Sequence, residues 1–198
     1  MCAIFGEIDA IHSDDWVAEQ TEKAFKRGKD LVEYTTPKVR LYHTRLATNS
    51  SQDTYPIVLD GWNFAMNGII GEKRYKELQK SSLDVGNYTV DSAYLLRSFI
   101  NTFETNTSDL GKNKWEEYDN DDYVFAFWMI KDNHLIIGSK DFPLYVSITP
   151  DFKSWRFSSF DHKKAMNNKN RITYINLDKP TVLHNVYYFK NLIYITKD

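Results

Sequence analysis

Apolar positions along this chain fall into short dense runs near both ends and into spaced, helix-like patterns between them. Residues 2–8 open with a compact apolar run, Ala3-Ile4-Phe5, broken by Gly6, and are predicted to form a strand. Ser13-Asp14-Asp15 is a helix start with acids in the first turn. Trp16, Thr21, Ala24, Phe25 and Gly28 then fall near one face, so the helix is expected to reach about Lys29, with Gly28 as its C-cap. Pro37 precedes a strand from Lys38 to Leu46, in which Leu41, His43 and Arg45 share one face. A polar loop covers 48–54. Strands at 56–59 and 62–66 flank Asp60-Gly61, a strong hairpin signal, and Asn67-Gly68 is expected to stop the second. Helices follow at 72–80 and from Asp91 through Ile100. The polar, acidic stretch 104–122 reads as a loop or a loose helix on a solvated surface. From Tyr123 onward the pattern is strands: 123–131, 134–139, 143–148, 154–160, 171–176, 181–189 and 192–196.

Helix and strand do not alternate along the whole chain, so a single parallel sheet is excluded. Two antiparallel sheets stacked face to face, with helices outside, fit the order. The unbroken apolar strand Val124 to Ile130 then needs burial on both faces. No repeat, low-complexity linker or Pro/Gly-rich boundary divides the 198 residues, which read as one domain, 1–198.

Composition narrows the function. The chain is 42% hydrophobic and 15% aromatic, enough for a substantial core. A net charge of −2 gives no reason to expect a nucleic-acid partner. No apolar run spans a membrane and no secretory signal opens the chain. The single cysteine forms no internal disulfide and suits a reducing cytosol, so a cytoplasmic location is expected. Five scattered histidines and one cysteine make no metal set, and no glycine loop for a phosphate is present. Neither metal nor cofactor is expected.

The candidate chemistry begins at Cys2. If Met1 is removed, the chain starts with a thiol and an α-amine on one residue, with reference pKa values of roughly 8.5 and 8. An amine of this kind can activate its own residue's nucleophile. Cys2 is equally readable as a small apolar residue opening a core strand. Asn67-Gly68 offers a side-chain amide and a backbone N–H side by side, or an ordinary turn. Arg45 at a strand end can hold a carboxylate in two parallel bonds, or form a surface salt bridge. Thr48 adds a hydroxyl in the following loop. Asp91 can neutralise an ammonium or serve as an N-cap. His43 reads as a structural hydrogen-bonder rather than a base. Together these residues list what is needed to bind an amino acid and attack its side-chain amide.

Several stretches, in order, match one family. Met1 to Gly6, Arg27-Gly28-Lys29-Asp30, His43-Thr44-Arg45-Leu46-Ala47-Thr48, Asn67-Gly68-Ile69-Ile70 and Val90-Asp91-Ser92 resemble the motifs of class II glutamine amidotransferase domains. These are the N-terminal-nucleophile glutaminases of glucosamine-6-phosphate synthase, asparagine synthetase and amidophosphoribosyltransferase. Trp155-Arg156-Phe157-Ser158-Ser159 stands where that family has an Ala-Ser-Glu-like stretch, and beyond 165 the similarity is weak. The chain departs from the family at Leu46, where Trp is common, at Asn49-Ser50 for His-Gly, and at Met66.

The resemblance implies an α+β, four-layer αββα sandwich of two antiparallel sheets, of the Ntn-hydrolase type. It implies Cys2 as nucleophile with its α-amine as base, and Asn67 and Gly68 as the oxyanion hole. It further implies Arg45 with Thr48 on the glutamine α-carboxylate, and Asp91 on the α-ammonium. The expected function is a stand-alone glutaminase that supplies ammonia to a separate synthetase subunit. The alternatives are a non-catalytic regulatory or interaction subunit of the same fold, and a hydrolase of other γ-glutamyl amides.

Overall fold

The computed structural model describes residues 2–8, 14–45, 55–104, 112–148, 154–162, 165–178 and 183–188. The order of elements is β1 (Ala3–Ile8), α1 (Asp14–Phe25), β2 (Asp30–Thr36), β3 (Val39–Arg45), β4 (Ile57–Leu59), β5 (Trp62–Ile70), α2 (Glu72–Lys80) and α3 (Asp91–Glu104). A 3-10 helix (Lys112–Tyr118) leads into β6 (Tyr123–Lys131), β7 (His134–Lys140), β8 (Tyr145–Ile148), β9 (Trp155–Ser158), β10 (Met166–Asn167), β11 (Arg171–Asn176) and β12 (Leu183–Tyr188).

Among the described residues the strands form two six-stranded sheets, ordered β10-β8-β9-β1-β3-β2 and β12-β11-β7-β6-β5-β4. The neighbours in both are antiparallel. The first sheet carries α1 on its outer face, the second carries α2 and α3, and the sheets meet where β1 faces β5 and β6. This is the expected αββα sandwich. Three apolar clusters fill its three interfaces. Ala3, Phe5 and Tyr42 pack under Trp16 and Ala24 of α1. Ile4, Ile8, Leu41, Ala126, Trp128 and Ile137 lie between the sheets. Phe64, Phe99, Trp115, Tyr123 and Phe127 lie between the second sheet and its helices. The alternation along β1 therefore divides one strand between two cores, as a pleat with both faces covered requires.

Among the described residues, two buried ring nitrogens bond across from one sheet to the other. Trp128 Nε1 donates to the Tyr42 carbonyl at 3.2 Å, and His43 Nε2 meets the Met66 carbonyl at 3.2 Å. On the α1 side of the first sheet, Glu7 is 1% exposed and sits between two guanidiniums. Its Oε2 accepts from Arg40 Nη2 and its Oε1 from Arg156 Nε, both at 2.9 Å. The three residues are directly paired across β9, β1 and β3, so one buried carboxylate is compensated by its two cross-strand neighbours.

Several expectations from the sequence are met. Strands at 123–131 and 171–176 and the helix at 72–80 form as read, and the strand expected at 134–139 runs one residue further, to Lys140. Asp60 and Gly61 both take positive φ, 48° and 80°, the hairpin geometry that Asp-Gly favours.

Others are corrected. β5 does not stop at Asn67-Gly68. It runs to Ile70, because β6 pairs with it residue by residue through Ile70↔Tyr123. A strand unseen in the sequence, β2, pairs along the whole of β3. Its half-exposed edge position leaves too weak a hydrophobic alternation to read. The stretch 104–122 is not simply solvated, since Trp115 and Tyr118 of the 3-10 helix are fully buried against Phe99. Tyr118 keeps its hydroxyl bonded to Ser98 Oγ at 2.6 Å. Two aromatics within a polar run carry no periodicity. The strand expected at 192–196 lies outside the described residues.

Gly28 has a different reason for being glycine than the one expected. α1 ends at Phe25, and Gly28 N–H donates to the Ala24 carbonyl at 3.0 Å. A Cβ at position 28 would stand 2.5 Å from the Arg45 carbonyl oxygen and 2.6 Å from its carbon. The turn after α1 thus lies directly on the backbone of the last residue of β3. Gly28→Ala is expected to cost about 1–3 kcal/mol of stability through this overpacking, measurable as a lowered urea midpoint with an unchanged slope.

Candidate active site

Residues from both sheets and one helix converge at one end of the sandwich. Cys2 immediately precedes β1, where the register is Ala3↔Thr44 and Ile4↔His43. One further step sets Cys2 beside Arg45, the last residue of β3. Ile4 and Leu41 belong to the inter-sheet core, so alternation turns Cys2, His43 and Arg45 toward the second sheet. The Cys2 thiol is half-buried.

The second sheet contributes Asn67 and Gly68 from the middle of β5, opposite Ala126 and Phe125. Asn67 shares its face with Ala65, which lines the inter-sheet core. Its side chain is 3% exposed, and Nδ2 has no hydrogen-bond partner among the described residues. A buried donor left unmade costs about 1–3 kcal/mol, so folded proteins rarely keep one without a use. Gly68 has no room for a side chain: a Cβ would lie 2.3 Å from the Val124 carbonyl oxygen and 2.6 Å from Phe125 Cα. Backbone groups two residues apart point to the same strand edge, so the Gly68 N–H shares an edge with the Met66 carbonyl that His43 reaches.

Asp91 is the first residue of α3. Its Oδ1 accepts from the Ser92 N–H at 2.8 Å and its Oδ2 from the Ile70 N–H, at the end of β5, at 3.4 Å. Burial raises its pKa and these backbone bonds oppose the rise. It therefore satisfies one first-turn N–H of α3, from the first helical position rather than from the N-cap position read in the sequence. It is also a partly buried carboxylate that a cationic group beside it would favour in its charged form.

His43 is fully buried. To bond a carbonyl, Nε2 must carry the proton, which leaves Nδ1 as a lone-pair acceptor without a partner among the described residues. Burial lowers its pKa to about 4, with the Arg45 charge adding to the fall and the Met66 carbonyl opposing it. A neutral imidazole locked on a backbone carbonyl is a structural group, as expected, and not a base.

One residue at this end has no counterpart in the sequence reading: Tyr55. Its ring stacks on His43, with centroids 4.7 Å apart and planes 26° apart, and the Arg45 guanidinium lies 5.5 Å from its centroid. Its hydroxyl bonds Ser92 Oγ at 2.6 Å. Burial pushes its pKa up to about 12, and Asp91 and Cys2 raise it further while the Ser92 bond and Arg45 act against them. Cys2, Arg45 and Asp91 are therefore all within electrostatic reach of one phenol. The signal available in the sequence was an aromatic at the exit of a polar loop, just before Pro56. Thr48, expected beside Arg45, lies outside the described residues.

No family model matches the sequence, and no curated protein matches it. Solved structures do. Glutamine phosphoribosylpyrophosphate amidotransferase from B. subtilis, solved with ADP and GMP, superimposes with a TM-score of 0.68 at 15% identity, over 93% of this chain and 48% of that one. A second structure, described as the allosteric regulatory enzyme of purine biosynthesis, gives 0.63 at 14% identity, with coverage of 93% and 48%. A glutamine aminotransferase class-II domain protein from Silicibacter pomeroyi gives 0.53 at 10% identity, covering 96% of this chain and 99% of that one. The chain spans about half the length of the first two. At these identities the likeness is one of fold: the sandwich is the Ntn-type fold of the class II glutamine amidotransferase domain. No helix among the described residues is long and apolar enough to cross a membrane.

The His43 environment gives a pH dependence with a definite sign. Its folded pKa of about 4 is below the unfolded value of 6.5, so the unfolded chain binds more protons between those values. The stabilisation is complete above about pH 6.5 and is lost as pH falls through about 4, on the order of 3 kcal/mol in all. Urea unfolding at pH 7 and pH 4.5 should show a smaller drop for His43→Gln than for the parent chain. Equal drops would show that His43 does not carry the acid sensitivity.

Proposed function

We propose that this chain is a glutaminase-type amidotransferase domain that hydrolyses the side-chain amide of L-glutamine. The observation that carries the proposal is the buried Nδ2 of Asn67, without a hydrogen-bond partner among the described residues, beside Gly68, in the fold of the class II glutamine amidotransferases. A donor held dry and without a protein acceptor suits an oxyanion that exists only during reaction.

In this reading Met1 is removed and the Cys2 α-amine acts as base. The Cys2 Sγ forms a bond to the glutamine amide carbon as the amine takes the thiol proton. Asn67 Nδ2 and the Gly68 N–H donate to the resulting oxyanion. The carbon–nitrogen bond breaks, the amine returns the proton to the leaving nitrogen, and ammonia departs. Water, deprotonated by the same amine, attacks the γ-glutamyl thioester, and glutamate leaves as the thiol is restored. Arg45 holds the α-carboxylate, with Thr48 assisting, and Asp91 holds the α-ammonium. The ammonia passes to a synthetase that aminates an acceptor, in the cytoplasm, and the chain from Cys2 onward acts as one glutaminase domain.

The test is glutamate release from L-glutamine by purified protein of verified intact mass, with Cys2→Ala as control. Release by chains lacking Met1, abolished in Cys2→Ala, is expected. No release from such chains, alone or with an added cell extract, would favour the non-catalytic alternative. Asn67→Ala should lower kcat by about 10²–10³. Asn67→Leu, which replaces the unmade donor with an apolar group of similar size, should leave stability unchanged or raise it by about 1 kcal/mol while abolishing turnover. A large loss of stability in Asn67→Leu would mean that the amide is structural.

A further inference from the structure

Tyr55 touches the first sheet and α3 with one side chain. It packs against both the inter-sheet core and the core beneath α3. From the first sheet it receives the His43 ring on one contact and the Arg45 guanidinium on another. Toward the helix its hydroxyl bonds Ser92 Oγ at 2.6 Å. Ser92 is fully buried, and its N–H donates to Asp91 Oδ1 at 2.8 Å. His43 is itself held by the Met66 carbonyl one residue before Asn67. A single side chain thus touches the residue proposed for the α-carboxylate and the neighbour of the residue proposed for the α-ammonium.

We propose that Tyr55 is a positioning residue that fixes the separation between Arg45 and Asp91, and so makes the site select a free α-amino acid end. The inference rests on the glutaminase reading for the roles of those two charges. The ring does the work on the Arg45 side, through the flat face under the guanidinium. The hydroxyl does the work on the Asp91 side, through Ser92. With its pKa at about 12, the phenol stays protonated over the working range, so the brace does not titrate with the substrate. A ring that only filled space would need neither the hydroxyl bond nor the stacked charge.

The two halves of the brace separate experimentally. Tyr55→Phe removes the Ser92 bond and keeps the ring. For this variant the KM for L-glutamine should rise about 5- to 10-fold with kcat within about twofold. Its KM for glutaramate, which keeps the amide and carboxylate and lacks the α-ammonium, should not change. Tyr55→Ala removes both halves, and the KM for both substrates should rise, that for L-glutamine by at least about 50-fold. An unchanged KM in Tyr55→Phe, equal shifts for the two substrates, or a fall in kcat alone would overturn the proposal. Should Tyr55→Ala fail to fold, Tyr55→Phe decides. L-Glutamate binding by calorimetry separates this inference from the function it rests on. If the parent chain binds L-glutamate but hydrolyses nothing, the glutaminase reading fails, and a 5- to 10-fold weaker L-glutamate affinity in Tyr55→Phe still supports the brace. If the parent chain neither hydrolyses L-glutamine nor binds L-glutamate, the brace is overturned too.

Discussion

The contact on which the candidate site depends is the buried hydrogen bond from His43 Nε2 to the Met66 carbonyl. Cys2 and Arg45 come from the first sheet and Asn67 and Gly68 from the second, and no chain segment within either sheet sets the distance between them. This bond does so at the site, and the Trp128 bond to the Tyr42 carbonyl does so one step deeper in the sandwich. Both use a ring nitrogen as donor and a strand carbonyl as acceptor, in surroundings where an unmade bond is costly. The neutrality of His43 follows from the same burial. A charged imidazole there would keep its bond to the Met66 carbonyl but would stand desolvated beside the Arg45 charge.

Close backbone approach is the second constraint. Gly28 lies on the backbone of Arg45, and Gly68 lies on the backbone of Val124 and Phe125. One glycine lets the turn after α1 brace the end of β3. The other lets β6 press against β5 where Asn67 stands. In both places the contacting atoms are main chain, which cannot swing aside as a flexible side chain would. The glycines of the Arg27-Gly28 and Asn67-Gly68 pairs are therefore required by packing, whatever chemistry the neighbouring residues perform.

The molecule treats its buried polar groups in two ways. Glu7 is enclosed but satisfied by two guanidiniums that are its direct cross-strand partners. Asn67 is enclosed and keeps a donor unmade among the described residues, and Asp91 is partly buried with its pKa raised by that burial. The first arrangement balances the cost of burial inside the fold. The second leaves that cost open at one end of the sandwich, where a ligand with an oxygen and an ammonium would offset it. That difference separates a structural network from a candidate binding site more sharply than residue type does, since all three groups are ordinary surface residues elsewhere.

Much of this was legible in the linear sequence. The apolar runs of β1, β6 and β7 need two covered faces, and the order of helices and strands excludes a parallel sheet. Asp60-Gly61 specifies its turn through its own φ preferences. Cys2, Arg45, Asn67, Gly68 and Asp91 stand out by residue type and by the resemblance of the stretches around them. Other features were decided only in three dimensions. β2 is a strand because β3 offers it a full register, and β5 continues through Asn67-Gly68 because β6 pairs with it from Asn63 to Ile70. Trp115 and Tyr118 are core because Phe99 lies across from them. Gly28 is glycine because of a backbone 17 positions away in sequence. Local pattern determines which face of an element is apolar, since that depends on spacing within a few residues. It does not determine what meets that face, and Tyr55 lies between His43, Arg45 and Ser92 only once two sheets and a helix have closed around it.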